Sequence, residues 1–143
     1  MGGKTLRLAM GQLLVTAGQP ENNLQHARRM IQEAANRKCD IIVLPECMDL
    51  GWTYPGAKRL AKPIPGNYSD VICEAARQYG IHVVAGLTEK SGDALYNAAI
   101  IISPAGKILS KHRKINEVDI ALDLYEIGDS LSVTKLDKGY RGS

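Results

Sequence analysis

Phenylalanine is absent from the 143 residues and tryptophan occurs once. A core built without them must rest on Ile, Leu, Val, Ala and Met. Charge of one sign is also lacking. The formal net charge is +3, too small by itself to argue for a nucleic-acid or membrane partner. No apolar run approaches the roughly 18 residues needed to span a bilayer. The opening Met1-Gly2-Gly3-Lys4-Thr5 has no apolar stretch of the kind that marks a secretory leader. Cysteine is sparse: Cys39, Cys47 and Cys73 are an odd, scattered set without metal-type spacing. That pattern predicts reduced thiols, hence a cytoplasmic setting, and no metal site.

What is present suits one ordinary globular unit. The apolar share is 45% and the charged share 23%, values typical of a soluble domain long enough to bury a core. No linker, internal repeat or low-complexity tract divides the chain, so residues 1–143 read as part of a single domain.

Periodicity gives the class. Leu6, Leu8 and Met10 alternate with Arg7, Ala9 and Gly11, a period-2 strand signal. After Gly18-Gln19-Pro20, the residues Leu24, Ala27, Met30, Ile31, Ala34 and Ala35 recur at helical spacing. Ile41-Ile42-Val43-Leu44 is a continuous apolar run, which suits a strand covered on both faces. Strand, helix and strand make a βαβ unit with a right-handed crossover expected. A second helix is predicted over 69–79, with Ser69 as N-cap and Gly80 as terminator. Strands follow at 82–87 and 96–102, then a hairpin turn at Pro104-Ala105-Gly106-Lys107, a strand over 107–111, and a last strand at Leu131-Ser132-Val133. Pro55 to Tyr68 reads as a surface loop. The class is α/β.

Two places carry chemistry. Pro45 has no amide hydrogen and curtails the sheet ladder where the apolar run ends. Glu46 is thereby left at the carboxyl end of a parallel strand, the edge where α/β proteins bind ligands. Alone, such a residue more often simply opens a solvated loop. The second place is Lys111-His112-Arg113-Lys114, where alternation sends Lys114 and His112 to one face and Arg113 to the other. Alone, a basic run of this kind is usually a solvated strand edge. Cys47 adjoins Glu46, but in extended chain the two side chains point apart, so a buried, inert thiol is expected. Gly3-Lys4-Thr5 imitates the tail of a phosphate loop but precedes its strand and lacks the earlier glycine.

The order of these features resembles the nitrilase superfamily of carbon–nitrogen hydrolases, which act on nitriles, amides and carbamoyl groups. The resemblance rests on Gly11-Gln12, the helix from Asn23-Leu24 to Glu33-Ala34-Ala35, and the block Cys39-Asp40-Ile41-Ile42-Val43-Leu44-Pro45-Glu46. It continues through Gly80 to Leu87, Tyr96-Asn97-Ala98-Ala99, His112-Arg113-Lys114-Ile115 and Tyr125-Glu126-Ile127-Gly128-Asp129. It implies a four-layer αββα sandwich, of which this chain holds about half, and a Glu-Lys-Cys triad whose first two members fall on Glu46 and Lys114. Gly139-Tyr140-Arg141-Gly142 has the glycine spacing of the third block, although the family prefers an apolar residue where Arg141 stands. The nucleophilic cysteine is then expected a few residues beyond Ser143, so the 143 residues alone are expected to be inactive. Some members use a further glutamate; Glu117 and Glu126 are candidates, with Glu117 preferred. Trp52 and Tyr54 would line the substrate pocket.

The resemblance further implies an amide or nitrile substrate, neither cofactor nor metal, and a homo-oligomer. Two rivals stand beside it. One keeps the fold as a non-catalytic subunit or fragment that binds a ligand or partner. The other makes the basic run a nucleic-acid site, against which stand the small net charge and the lack of aromatic residues around it.

Overall fold

A computed structural model describes residues 5–136. The stretch Gly139 to Ser143, where the third family block was expected, lies outside the described residues. In chain order the elements are β1 (Leu8–Met10), α1 (Pro20–Asn36), β2 (Ile41–Val43), α2 (Ala57–Leu60), α3 (Asn67–Tyr79), β3 (His82–Ser91), β4 (Ala94–Ile102), β5 (Ile108–Arg113) and α4 (Asp119–Leu122). One sheet has the order β1-β2-β3-β4-β5. The first three strands are parallel, and β4 and β5 are added antiparallel.

Local chemistry accounts for the helices. Pro20 opens α1 at its first turn, where a missing amide costs nothing. Pro20 is therefore the helix start. Leu24, Ala27, Ile31 and Ala34 form the buried stripe of α1, and Ile72, Ala75 and Ala76 that of α3. Both stripes meet Ile42, Leu44, Val83, Ala85, Leu87, Ala98, Ile100 and Ile102 on one face of the sheet. Gly80 closes α3 in the left-handed region, with φ 62°.

Three sequence expectations are corrected. The second helix begins at Asn67, because the Ser69 hydroxyl sits inside the first turn and reaches back: it accepts from the Gly66 N–H and donates to the Gly66 carbonyl, both at 2.9 Å. Ser69 is thus not the N-cap residue. The stretch from Pro55 to Tyr68 is not all loop; buried Ala57 anchors the single turn of α2 and the start of α3 falls within it. Leu131-Ser132-Val133 is not a strand. It makes no ladder among the described residues, Val133 is fully exposed, and a 2.7 Å contact joins the Ser132 hydroxyl to that of Ser110 on β5.

The two faces of the sheet differ. On the face away from α1 and α3, Met10, Val43, Val84 and Ile101 lie in one register row. Met10 is 76% exposed and the other three are half-buried. In β1 it is small Ala9 that packs on the core, while Leu8 and Met10 look outward.

At the β3–β5 end lies a charge cluster. Glu89 is 2% exposed. Its carboxylate accepts from Arg113 at 2.7 and 3.1 Å and from the Lys111 ammonium. The Arg113 guanidinium also lies 3.8 Å above the Tyr96 ring. Burial alone would raise the Glu89 carboxyl, but the two cations outweigh it and hold it below the usual range. Its folded value is depressed, so it contributes stability above the unfolded value that is lost as pH falls through the folded one. Glu89→Gln removes a buried, doubly paired charge and is expected to cost about 2 kcal/mol at neutral pH. Urea denaturation checks this; unchanged stability would contradict it.

Candidate active site

The site starts from how the chain leaves β2. The Leu44 N–H donates to the Val84 carbonyl at 2.8 Å, the Gly86 N–H to the Pro45 carbonyl at 3.2 Å, and the Met48 N–H to the Gly86 carbonyl at 2.9 Å. The chain therefore keeps beside β3 after β2 ends, and the missing donor at Pro45 is where it begins to turn. This close approach needs glycine at position 86. A Cβ there would land on the Glu46 Cα and the Pro45 carbonyl oxygen, which are backbone and cannot step aside.

Beyond Glu46 the loop is tied down. Asp49 is fully buried, and both its carboxylate oxygens accept from the Thr88 N–H, at 3.0 and 3.1 Å. Its carbonyl accepts from the amide of buried Asn23, which also exchanges two 2.8 Å bonds with the Thr16 backbone. The Tyr125 hydroxyl accepts from the Thr53 N–H at 3.0 Å and lies 3.6 Å from Cys47 Sγ.

Lys114 arrives from the other side, one residue past β5. Its N–H donates to the Asn97 carbonyl and its own carbonyl accepts from the Gly128 N–H, both at 2.8 Å. Because Lys111 and Arg113 share Glu89 on one face, Lys114 faces the opposite way, as alternation predicts. Lys111 and Arg113 are thus occupied by a buried partner, and the basic run is not simply a solvated edge.

The structure brings Glu46, Lys114 and Glu117 together. Lys114 Nζ lies 3.6 Å from Glu46 Oε2 and 3.2 Å from Glu117 Oε2. The Glu46 side chain is 55% exposed and that of Glu117 fully buried. Among the described residues, Glu117 accepts no well-aligned hydrogen bond, so the ion pair with Lys114 is its compensation. Partial desolvation pulls the Lys114 ammonium down, but contact with Glu117 and the charge of Glu46 outweigh it and hold it above the usual lysine range. Lys114 is a cation throughout the neutral range. Glu126, the other candidate glutamate, is exposed and pairs through its backbone with β4.

Asn97 is a residue that sequence reasoning did not single out. Its side-chain nitrogen donates to Glu46 Oε2 at 2.8 Å. The only available signal was its place in the Tyr96-Asn97-Ala98-Ala99 block. Of the pocket candidates, Trp52 is 37% exposed, whereas the Tyr54 ring fills the space beside Gly18 and Gly56. Cys47 is buried, and the expected inertness has a different cause from the one anticipated. The chain is not extended there, with φ 44° at Cys47. Burial, opposed by the Tyr125 contact and reinforced by Asp49 and Glu46, pushes the thiol up to about 12. Among the described residues no cluster could hold a metal ion, and no helix is long and apolar enough to cross a membrane.

A parallel-to-antiparallel sheet with a carboxylate and an ammonium meeting beyond its strand ends is the frame of a carbon–nitrogen hydrolase, and the chain belongs to that family, whose sequence profile matches residues 7–137. It is 33% identical over 126 residues to a nitrilase of Pyrococcus abyssi, covering 85% of this chain and 47% of that protein. It is 37% identical over 115 residues to omega-amidase NIT2 of Danio rerio, covering 80% and 41%. The fold matches Saccharomyces cerevisiae Nit3, of the nitrilase superfamily, with a TM-score of 0.82 at 23% identity, over 94% of this chain and 52% of that one. An amidase from Nesterenkonia sp. gives 0.81 at 16% identity, over 91% and 51%. The chain spans less than half the length of the curated relatives it matches. The α/β, nitrilase-like fold is borne out, with about half of each solved chain represented.

Desolvation pushes the Asp49 carboxyl up to about 6, against the bonds it accepts from Thr88. The folded state therefore holds a proton that the unfolded state has released, and stability falls as pH rises from about 4 to about 6, by up to about 3 kcal/mol. Asp49→Asn keeps an acceptor for Thr88 and removes this slope. Denaturation across pH 4–8 is expected to show the Asp49→Asn variant more stable than the wild type at pH 8; the reverse order would refute the account.

Proposed function

We propose that these residues form the acid–base half of a thiol-dependent amidase or nitrilase. The observation that carries this reading is the convergence of Lys114 with two carboxylates, 3.6 Å from Glu46 and 3.2 Å from Glu117. The nucleophile is a cysteine supplied from outside the described residues, since Cys47 is buried and held as a thiol. The chemical class is supported by the nitrilase and omega-amidases among the relatives.

A free thiol, with a pKa of about 8.5, needs a base to attack at neutral pH. Glu46 takes the S–H proton, and sulfur attacks the substrate carbon. Lys114 donates to the oxygen, or to the nitrile nitrogen, on which negative charge builds. Glu117 keeps that ammonium charged and in place. For an amide, the C–N bond breaks as Glu46 returns its proton to the leaving amine, and a thioester remains. Water then attacks the thioester while Glu46 takes its proton; the C–S bond breaks and the thiol is restored. In this reading Trp52, exposed on the loop after Glu46, lines the substrate pocket, and the Tyr54 ring packs beside Gly18 and Gly56. No step uses a cofactor.

In the protein that carries the thiol, Lys114→Met is expected to lower kcat by about a hundredfold or more, the usual loss for one donor to a developing anion. Glu46→Gln is expected to lower it at least as far. Assay on simple amides and nitriles decides; near-native turnover in either variant would refute the reading. The 143 residues by themselves are expected to show no hydrolysis. Their outward apolar row, Met10, Val43, Val84 and Ile101, favours self-association. Light scattering is expected to find an oligomer, and a monomer at high concentration would count against it.

A further inference from the structure

We infer that Asn97 is a positioning residue that gives the two oxygens of Glu46 separate tasks, anchoring Oε2 and leaving Oε1 to exchange the proton. The inference rests on the reading of Glu46 as the general base and goes beyond it. Three observations carry it. Asn97 is 5% exposed and lies on β4, so its side chain has little freedom. Its amide nitrogen donates to Glu46 Oε2 at 2.8 Å, and Lys114 Nζ approaches the same oxygen at 3.6 Å. Among the described residues no hydrogen bond to Oε1 is found, whereas Oε2 accepts one. Two donors thus converge on one oxygen of a carboxylate that is otherwise half exposed.

The orientation of the amide follows from chemistry. An ionised carboxylate can only accept, so the Asn97 nitrogen, not its oxygen, must face it. A donor held against Oε2 restricts rotation of the carboxylate and disfavours a proton on that oxygen. The basic lone pair is then presented at Oε1 in one direction, as an efficient proton transfer requires. Asn97 also reaches the second partner, because its carbonyl accepts from the Lys114 N–H at 2.8 Å. One strand residue thereby fixes the carboxylate through its side chain and the lysine through its backbone. Its register partner, Thr88, secures the same loop through Asp49.

The test has two arms. In the 143-residue chain, the side-chain amide protons of Asn97 are followed by NMR. Glu46→Gln replaces a charged acceptor with a neutral one and is expected to move that proton pair; no response would overturn the inference. In the thiol-bearing protein, Asn97→Ala, and Asn97→Asp of equal size, are expected to lower kcat by about tenfold or more, the scale of one charge-assisted hydrogen bond. KM should stay within about twofold, since no group that binds substrate is removed. Folded variants with native kcat would sink the role of Asn97 while leaving the functional reading intact. A wild-type protein with no turnover would sink the functional reading and this role with it, even where the amide contact persists.

Discussion

The bare backbone of Gly86 is the constraint on which the rest depends. Because nothing projects from its Cα, the chain from Pro45 to Met48 lies against β3 after β2 has ended. That contact sets the height of Glu46 above the sheet. It also fixes where the following loop must turn, and hence where Asp49, Thr53 and Tyr125 can tie it down. The loop holds non-glycine residues in the left-handed region at Cys47 and Thr53, with φ 44° and 56°. Such backbone persists only where surrounding bonds determine it. The buried Asp49 and the Tyr125 hydroxyl supply those bonds.

Much of this was legible in the chain. The continuous run Ile41 to Leu44, ended by a proline, gave both the second parallel strand and the position of the carboxylate, because a residue without an amide hydrogen curtails a ladder. The alternation around Lys114 gave its face, because side-chain direction in a strand has a period of two. Less legible were features set by distant contacts. Ser69 looked like a cap by composition, yet its hydroxyl serves the backbone of Gly66 three residues earlier. Leu131 to Val133 had strand composition, but a strand needs a partner ladder, and among the described residues it has none.

The site shows the same division. Glu46, Lys114 and Glu117 could be nominated from residue type and order, and the structure brings them within ion-pair distance. Asn97 could not, because an asparagine in a strand carries no charge signal. Its place opposite the carboxylate emerges only when β4 is laid beside β3. Alternation separated Lys114 from Arg113, but it did not show that Lys111 and Arg113 are committed to buried Glu89. All are basic; the pleat turns Lys111 and Arg113 to one face and Lys114 to the other.

The burial of Cys47 has a consequence for selectivity between thiols. It stands beside the carboxylate in sequence yet is wrapped in apolar side chains and a tyrosine hydroxyl. The molecule discriminates by placement, since chemistry alone would make every cysteine eligible. An electrophile seeking a thiolate passes over this one, and the Glu46 carboxylate has no reactive sulfur at its own doorstep.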